Sequence, residues 1–463
     1  MEPVRIEQFF LGCLAHASYM VSSKGIAAVI DPQRDVDIYI DAAKEAGLRI
    51  EHIIETHLHA DFVSGHRELA ERTGARIYIG EGSEATFPHT AVKDGDSIRF
   101  GNVRFDFLQT PGHTIEGVCA VLTDHAEPSK PRAVFTGDTL FVGDVGRPDL
   151  SADHTPQELA AMLYRSLHEK LLKLPDDTEI FPAHGAGSLC GRQMSSERSS
   201  TIGKERRTNY ALQAKSVDEF IHLLTDSLPP RPEYFGYDVE LNRRGAAPLE
   251  NLPPLTPLSA PEVQRLQSEG AVVLDTRAPM DFAVAHVPGS LHIALSGQYA
   301  SWAARILGLD KHIILVGEDA DQLREAQMRL ARVGIEKADA YLEGGISGWV
   351  KSGYELDYIP QISAAELADL RQKENVAILD VRESAEVEGG AIKDSIRIPL
   401  GQLSGRTGEL DREKLLVVHC KGGYRSSIAT SILRRAGFRD IANLTGGYDA
   451  WLARKSEMAS SKV

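Results

Sequence analysis

The chain has 463 residues and a formal net charge of −15, with 42% hydrophobic and 25% charged residues. Such a chain is long enough for about two to four globular domains, and its acidic balance argues against nucleic acid or an anionic membrane as a partner. No apolar run reaches the roughly 18 residues of a membrane span, and no basic-then-apolar leader opens the chain. The four cysteines, Cys13, Cys119, Cys190 and Cys420, stand far apart and match no zinc-ligand spacing. Free thiols in a cytoplasmic setting are therefore expected.

Apolar alternation predicts short strands over residues 4–10, 27–30 and 49–54. Helices are predicted over 37–47 and 65–74, each closing on glycine. Further strands at 77–79, 97–100, 103–108 and 118–122 are separated by glycine, aspartate and proline, and a longer helical region follows at 155–172. This mixture suggests stacked sheets covered by helices. Proline-rich stretches at 228–232 and 252–258 fit neither a helix nor a central strand and are expected to run between domains.

The remainder holds a diverged duplication. Val272-Val-Leu-Asp275-Thr-Arg277 and Gly344-Gly-Ile-Ser-Gly-Trp349 recur in order as Ala377-Ile-Leu-Asp380-Val-Arg382 and Gly446-Gly-Tyr-Asp-Ala-Trp451. Helical patterns at 322–333 and 426–436 alternate with apolar strands, predicting two small α/β domains with mostly parallel sheets. The expected segments are 1–250, 251–355 and 356–463.

In the first segment, polar residues follow apparent strands: His57, His59 and Asp61 in Thr56-His-Leu-His-Ala-Asp-Phe62, then His113, Asp138 and His184. Histidine and carboxylate suit zinc or iron, and Gly112, Gly137 and Gly185 would let backbone pass close to such a site. His16, His52 and His89 have no comparable context, and His66 is only an outer candidate. Tyr164 and Tyr210 are hydroxyl donors with no assigned role.

This ordered set resembles the metallo-β-lactamase superfamily, whose pattern is His-x-His-x-Asp-His followed by isolated His, Asp and His. The nearest resemblance is to the persulfide dioxygenases, which share ancestry with glyoxalase II. The stretch from Gly137 to Leu150 resembles that group in particular. The resemblance implies an αββα sandwich. It departs at Phe62, where two-metal relatives carry a histidine, so the second site loses a ligand. It implies one Fe(II) per domain on His57, His113 and Asp138, with zinc as a substitute. His59, Asp61 and His184 would then orient ligands or substrate, and Arg147 would hold Asp149 or a substrate carboxylate.

The second sharp motif is Leu415-Leu-Val-Val-His-Cys420-Lys-Gly-Gly-Tyr-Arg425-Ser-Ser. A strand leads to a thiol, and a glycine-bearing loop opens a helix. Backbone N–H groups in such a loop form an anion nest, and the helix start, Lys421 and Arg425 add positive potential. Such surroundings favour a nucleophilic thiolate. The loop resembles the rhodanese active loop, with Cys420 as persulfide carrier, Arg425 beside it, and Lys421, Gly422, Gly423 and Tyr424 cradling the anion. Asp380 and Arg382 match the early rhodanese signature as scaffold. The Cys-x5-Arg spacing of related phosphatases is not met, because Arg425 comes too early. In the first repeat the corresponding strand end reads Ile313-Ile-Leu-Val-Gly-Glu-Asp319, placing Gly317 opposite Cys420, so this copy lacks a nucleophile.

Together the resemblances imply oxidation of a small-molecule persulfide by dioxygen, coupled to sulfur exchange with thiosulfate or sulfite through Cys420. Two alternatives stand beside it: a zinc-dependent thioester hydrolase of the glyoxalase II type, and a non-enzymatic sulfur-sensing scaffold. A homodimer is left open.

Overall fold

The computed structural model describes residues 4–126, 130–151, 153–226, 228–371 and 375–460, with the side chains of 457–460 excepted. The chain divides into two compact units, Met1–Leu252 with Ala331–Gly334, and Pro253–Leu330 with Ile335–Val463.

The first unit is built on two six-stranded sheets. One runs in chain order through Arg5–Leu11, His16–Ser23, Ile26–Ile30, Arg49–Ile54, Arg76–Gly80 and Thr90–Val92. Its first two pairings are antiparallel and the rest parallel. The other has the order Ser200–Thr201, Glu179–Pro182, Ala133–Gly137, Val118–Asp124, Val103–Gln109 and Ser97–Phe100. It is antiparallel except where Ala133–Gly137 lies parallel to Glu179–Pro182.

Strand alternation explains how the sheets pack. Val103, Phe105 and Phe107 are buried while Arg104 and Asp106 are only partly so, so one face of that strand is apolar. These residues meet Tyr19, Val21, Ile30, Ile54 and Phe135 in the core that joins the two sheets. On the far face of the first sheet, Tyr39 of the helix Asp37–Glu45 and Leu69 of the helix His66–Thr73 bury against Val29 and Ile53. On the far face of the second, Leu163 of Pro156–Arg165 and Phe220 of Val217–Thr225 cover Val121 and Val134. The result is the expected four-layer αββα arrangement. The helical region at 155–172 is not one regular helix. It begins with a Thr155–Glu158 capping box and Pro156 in the first turn, then widens to a π turn at Ser166–Lys170 and tightens to a 3₁₀ turn at Leu171–Lys173.

The second unit holds two five-stranded parallel sheets of the same topology. The first has the order Thr256–Leu258, Ala340–Leu342, Ile313–Val316, Val272–Asp275, Leu291–His292. The second has the order Gln361–Ile362, Ile441–Leu444, Leu415–His419, Val376–Asp380, Ile396–Arg397. The duplication is thus a duplication of folds. It extends to side chains: Arg277 clamps Asp275, and Arg382 clamps Asp380, each with an Nη2–Oδ2 distance of 2.6 Å. One expectation is corrected. The 252–258 stretch does hold the boundary between the units, between Leu252 and Pro253, and then enters the edge strand Thr256–Leu258, where Pro257 is tolerated because an edge residue need not donate to a neighbour on both sides; the 228–232 stretch, also read as running between domains, lies inside the first unit. Among the described residues no helix is long and apolar enough to cross a membrane.

Candidate metal centre and thiol loop

The ligand candidates lie just beyond four strand ends: His57 and its neighbours after Arg49–Ile54, His113 after Val103–Gln109, Asp138 after Ala133–Gly137, and His184 after Glu179–Pro182. The loops converge because the backbone is small where it must be. Gly137 has φ +50°, and a Cβ there would sit 2.4 Å from Thr56 Oγ1. At Gly146 a Cβ would sit 2.0 Å from the Asp138 carbonyl oxygen and 2.8 Å from His113 Nδ1. Gly112 is required against Leu163, whereas Gly185 meets only ordinary contacts with Phe10, so its expected steric role is not upheld.

His57, His113 and Asp138 are all buried, with ligand atoms within 4.8 Å of one another. Asp138 Oδ2 is 3.2 Å from His113 Nε2 and 3.8 Å from His57 Nε2. Ligand atoms about 2.1 Å from a shared ion stand roughly 3–3.5 Å apart, so this set needs only slight closure around a metal. The remaining nitrogens are fixed from outside. Thr56 Oγ1 donates to Asp31 Oδ2 at 2.8 Å and so accepts from His57 Nδ1 at 3.0 Å. His113 Nδ1 donates to the Arg147 carbonyl at 2.9 Å. Both rings therefore present Nε2 lone pairs toward Asp138. His57 Nε2, His113 Nε2 and both Asp138 carboxylate oxygens are buried without hydrogen-bond partners. A polar group left so in a protein interior is costly, and a divalent ion at this point would satisfy all four atoms.

Burial, reinforced by His59, His113 and His184, holds His57 well below the ordinary histidine value, and burial likewise lowers His113 against the opposing pull of Asp138. Both are thus neutral and able to coordinate. His184 differs: burial works against it, but Asp61 and Asp138 prevail and push it up to about 9. His184 Nε2 lies 3.4 Å from Asp61 Oδ1 and 3.7 Å from Asp138 Oδ1. His59, Asp61 and His184 form a second buried ligand-type set. Phe62 is fully buried next to it, its ring centroid 4.4 Å from that of His59 and 4.1 Å from that of His16. An apolar ring thus occupies the chain position at which two-metal relatives carry a histidine.

Several residues of this centre were not marked in the sequence. Asp31 anchors Thr56 through both backbone and hydroxyl, and lies 3.3 Å from His59 Nε2. Glu55 is 3.8 Å from the same nitrogen. Asn242 ties down the loop by donating to the His59 and Phe62 carbonyls, both at 2.8 Å. Cys190 is buried with Asp138 and His184 in a third ligand-type set, its thiol pushed well up by burial and the nearby carboxylates. Its one sequence signal was a place in the same loop as His184. His66 Nδ1 lies 3.7 Å from Glu55, and its ring packs against Phe87 with centroids 4.4 Å apart. Arg147 grips Asp149 at 2.6 and 2.9 Å and also donates to the Leu189 and Pro229 carbonyls. Of its two expected roles the structure shows the first. Tyr210 donates to Asp144 at 2.8 Å.

In the second unit, strand Leu415–His419 delivers Cys420 to the start of helix Tyr424–Arg435. The sulfur is buried and accepts from the Gly423 N–H at 3.1 Å. The loop is held by the backbone that follows Gly446-Gly447: Tyr448 N donates to the Cys420 carbonyl at 2.8 Å, and Asp449 N to the Lys421 carbonyl at 3.1 Å. A Cβ on Gly447 would fall 2.5 Å from both carbonyl oxygens. Lys421 and Gly422 are exposed. Tyr424 donates its hydroxyl to the Ala294 carbonyl of the first repeat at 2.9 Å. Arg425 is bound by Glu386 at 2.5 and 2.7 Å, so its charge is not free as the sequence suggested. In the first repeat, strand Ile313–Val316 ends directly on Gly317, where a Cβ would meet Gln322 and Leu323. No sulfur and no arginine stand there.

Residues 11–184 match the metallo-beta-lactamase superfamily model, and residues 259–352 and 363–454 each match the rhodanese-like domain model. The chain is 32% identical over 252 residues to the persulfide dioxygenase ETHE1, mitochondrial, of Homo sapiens, covering 52% of this chain and 89% of that protein. It is 33% identical over 183 residues to a hydroxyacylglutathione hydrolase of Francisella tularensis, covering 39% of this chain and 68% of that one. A solved metallo-beta-lactamase from Staphylococcus aureus aligns with a TM-score of 0.66 and 31% identity, over 73% of this chain and 98% of its own. Fold and buried ligand sets together define a metallo-β-lactamase-type domain, with a site able to hold a divalent metal, fused to two rhodanese-like domains. Within that superfamily the chain belongs to the family of the ETHE1-type persulfide dioxygenases.

Proposed function

We propose that the chain oxidises a low-molecular-weight persulfide to sulfite with Fe(II) held by His57, His113 and Asp138, and that Cys420 exchanges sulfane sulfur with thiosulfate or sulfite. The observation that carries the reading is the pairing of a two-histidine, one-carboxylate set with Phe62 beside the second set. Two histidines and one carboxylate would leave a bound iron with open positions, and iron held there would supply the redox chemistry between persulfide and dioxygen. The net reaction is R–S–SH + O2 + H2O giving R–SH, sulfite and two protons. In it the chain's own groups are given distinct tasks. Thr56 and the Arg147 carbonyl fix the ring orientations of His57 and His113. His184, held between two carboxylates, is placed to hold a proton near the site. The proposed division is a dioxygenase segment at 1–250, a rhodanese-like segment without nucleophile at 251–355, and a sulfurtransferase segment at 356–463.

The test is anaerobic loading with Fe(II), followed by oxygen uptake and sulfite release with several persulfides. Persulfide-dependent uptake is expected, and C420A should keep it while losing sulfur transfer. A second reading, zinc-dependent thioester hydrolysis, is favoured by the His59–Asp61–His184 set and by the similarity to a hydroxyacylglutathione hydrolase. No oxygen uptake, together with S-lactoylglutathione cleavage by the zinc form, would establish that reading instead.

A further inference from the structure

The loop around Cys420 carries fewer free positive charges than its sequence implies. Arg425 is engaged by both oxygens of Glu386, at 2.5 and 2.7 Å, with the two side chains 18% and 33% exposed. Arg382, the next guanidinium, is consumed by Asp380 at 2.6 Å. Glu383 adds a further negative charge near Arg425, offset by Arg305 at 3.8 Å. Lys421 is exposed, and the Gly423 N–H is turned onto the sulfur itself. A bidentate carboxylate is the strongest partner a guanidinium finds in a protein, and an incoming anion must displace it or do without it. Thiosulfate carries two negative charges, whereas the reacting end of an alkyl persulfide carries one or none.

Resting on the sulfurtransferase reading above, we propose that Glu386 sets the donor specificity of Cys420, disfavouring the thiosulfate dianion and leaving an alkyl persulfide as the preferred sulfur source. In that step the Cys420 thiolate attacks the terminal sulfur of R–S–SH. A new S–S bond forms to Cys420, the R–S–S bond breaks, and its electron pair leaves on R–S⁻. The sulfane sulfur moves with its proton as Cys420–S–SH, and no external oxidant or reductant is needed. Glu386 takes no part in these bonds. It acts through Arg425 by cancelling a charge the loop would otherwise turn toward a dianion.

The test is charge-sensitive and uses the full chain. Alkylation at Cys420 is followed by peptide mass spectrometry with anionic iodoacetate and neutral iodoacetamide, in wild type, E386Q and E386D. In E386Q the iodoacetate-to-iodoacetamide rate ratio should rise about tenfold, the size of effect one unit charge exerts over a few ångströms under the screening of bulk water. E386D, which keeps the charge, should stay near wild type. With thiosulfate as donor, E386Q should lower KM by a similar factor while kcat and the KM for glutathione persulfide hold. An unchanged ratio in E386Q, or an equal rise in E386D, overturns the proposal. Wild type supplies a measurement that needs no variant: its ratio should fall less than about threefold between low and high salt, and a fall of about tenfold or more, the mark of an uncancelled cationic loop, also overturns it. If no donor loads Cys420 in wild type, the sulfurtransferase reading fails, and the alkylation ratios still judge Glu386.

Discussion

Replacing Thr56 by valine isolates the support of one proposed metal ligand, His57, from the ligand itself. The two side chains are similar in shape, so the substitution itself opens no new cavity. What is lost is one hydroxyl that donates to Asp31 Oδ2 at 2.8 Å and accepts from His57 Nδ1 at 3.0 Å. Asp31 keeps the Thr56 backbone N–H at 2.7 Å and the nearby His59 nitrogen at 3.3 Å, so it is left partly satisfied. His57 loses its only hydrogen-bonded anchor among the described residues and is left with a buried N–H, at a cost of about 1–3 kcal/mol. The ring is then free to turn, or to protonate the other nitrogen, and either change withdraws Nε2 from Asp138. Removing an outer partner of a metal-bound histidine lowers metal affinity by about 10- to 100-fold, equivalent to about 1.4–2.7 kcal/mol. Chelator competition with Fe(II) and with Zn(II) reads this directly, alongside thermal melts of the metal-free protein. A folded Thr56→Val protein that binds metal within about twofold of wild type would refute the Asp31–Thr56–His57 relay as the determinant of ring orientation.

Further outcomes follow from other contacts. Phe62→His supplies the second set with the donor it lacks, and metal analysis after saturation and desalting should move from one to two ions per chain; a persistent single ion would mean that Phe62 is not what limits the stoichiometry. Gly297→Val should slow loading of Cys420 while leaving persulfide-dependent oxygen uptake intact, because even a Cβ at Gly297 falls 2.4 Å from the Tyr424 ring; equal loading rates would show that the loop does not depend on this contact. Asp380→Asn leaves the buried Arg382 without its counter-ion and should cost about 3–5 kcal/mol in denaturant melts of the full chain, unless a water or chloride replaces the carboxylate, in which case the loss shrinks and becomes salt-dependent. Glu386 is held below the ordinary glutamate value: burial opposes this, but the Arg425 contact prevails. A depressed carboxyl contributes stability that is fully present above its unfolded value and lost as pH falls through its folded one, so E386Q should lower stability at neutral pH, converge on wild type in acid and thereby flatten the acid limb of the stability curve.

The parts of this molecule legible in its sequence are those with a period or a fixed spacing. Val103, Phe105 and Phe107 alternate cleanly, and their strand lies where the alternation put it. His16–Ser23 was passed over because all eight of its residues are buried, so the alternation that marks a half-buried strand is missing. Ala133–Gly137 is buried throughout and has the same difficulty, while Glu179–Pro182, at 4 residues, is too short to display a period, although the ligands that follow both are evident. At the metal centre, His57, His113 and Asp138 were legible because they resemble a known ordered pattern. Asp31 and Asn242 were not, because they orient neighbours that only the fold brings close, and Glu55, although four residues from His59, lies outside the known pattern. Arg425 shows the converse. Its place in the loop was plain, but its partner Glu386 belongs to a helix from an earlier part of the repeat, and one sequence shows no pairing across that distance.

The Asp–x–Arg clamp of the two repeats is intact in both copies, at the same 2.6 Å, although only one copy ends its neighbouring strand on a thiol. The clamp therefore answers to folding and not to chemistry. It would be retained by a copy released from catalysis for as long as that copy still had to fold. In chains assembled from such modules, the early signature counts how many modules are present. How many of them work has to be counted one strand later, at the single residue where Cys420 and Gly317 part ways.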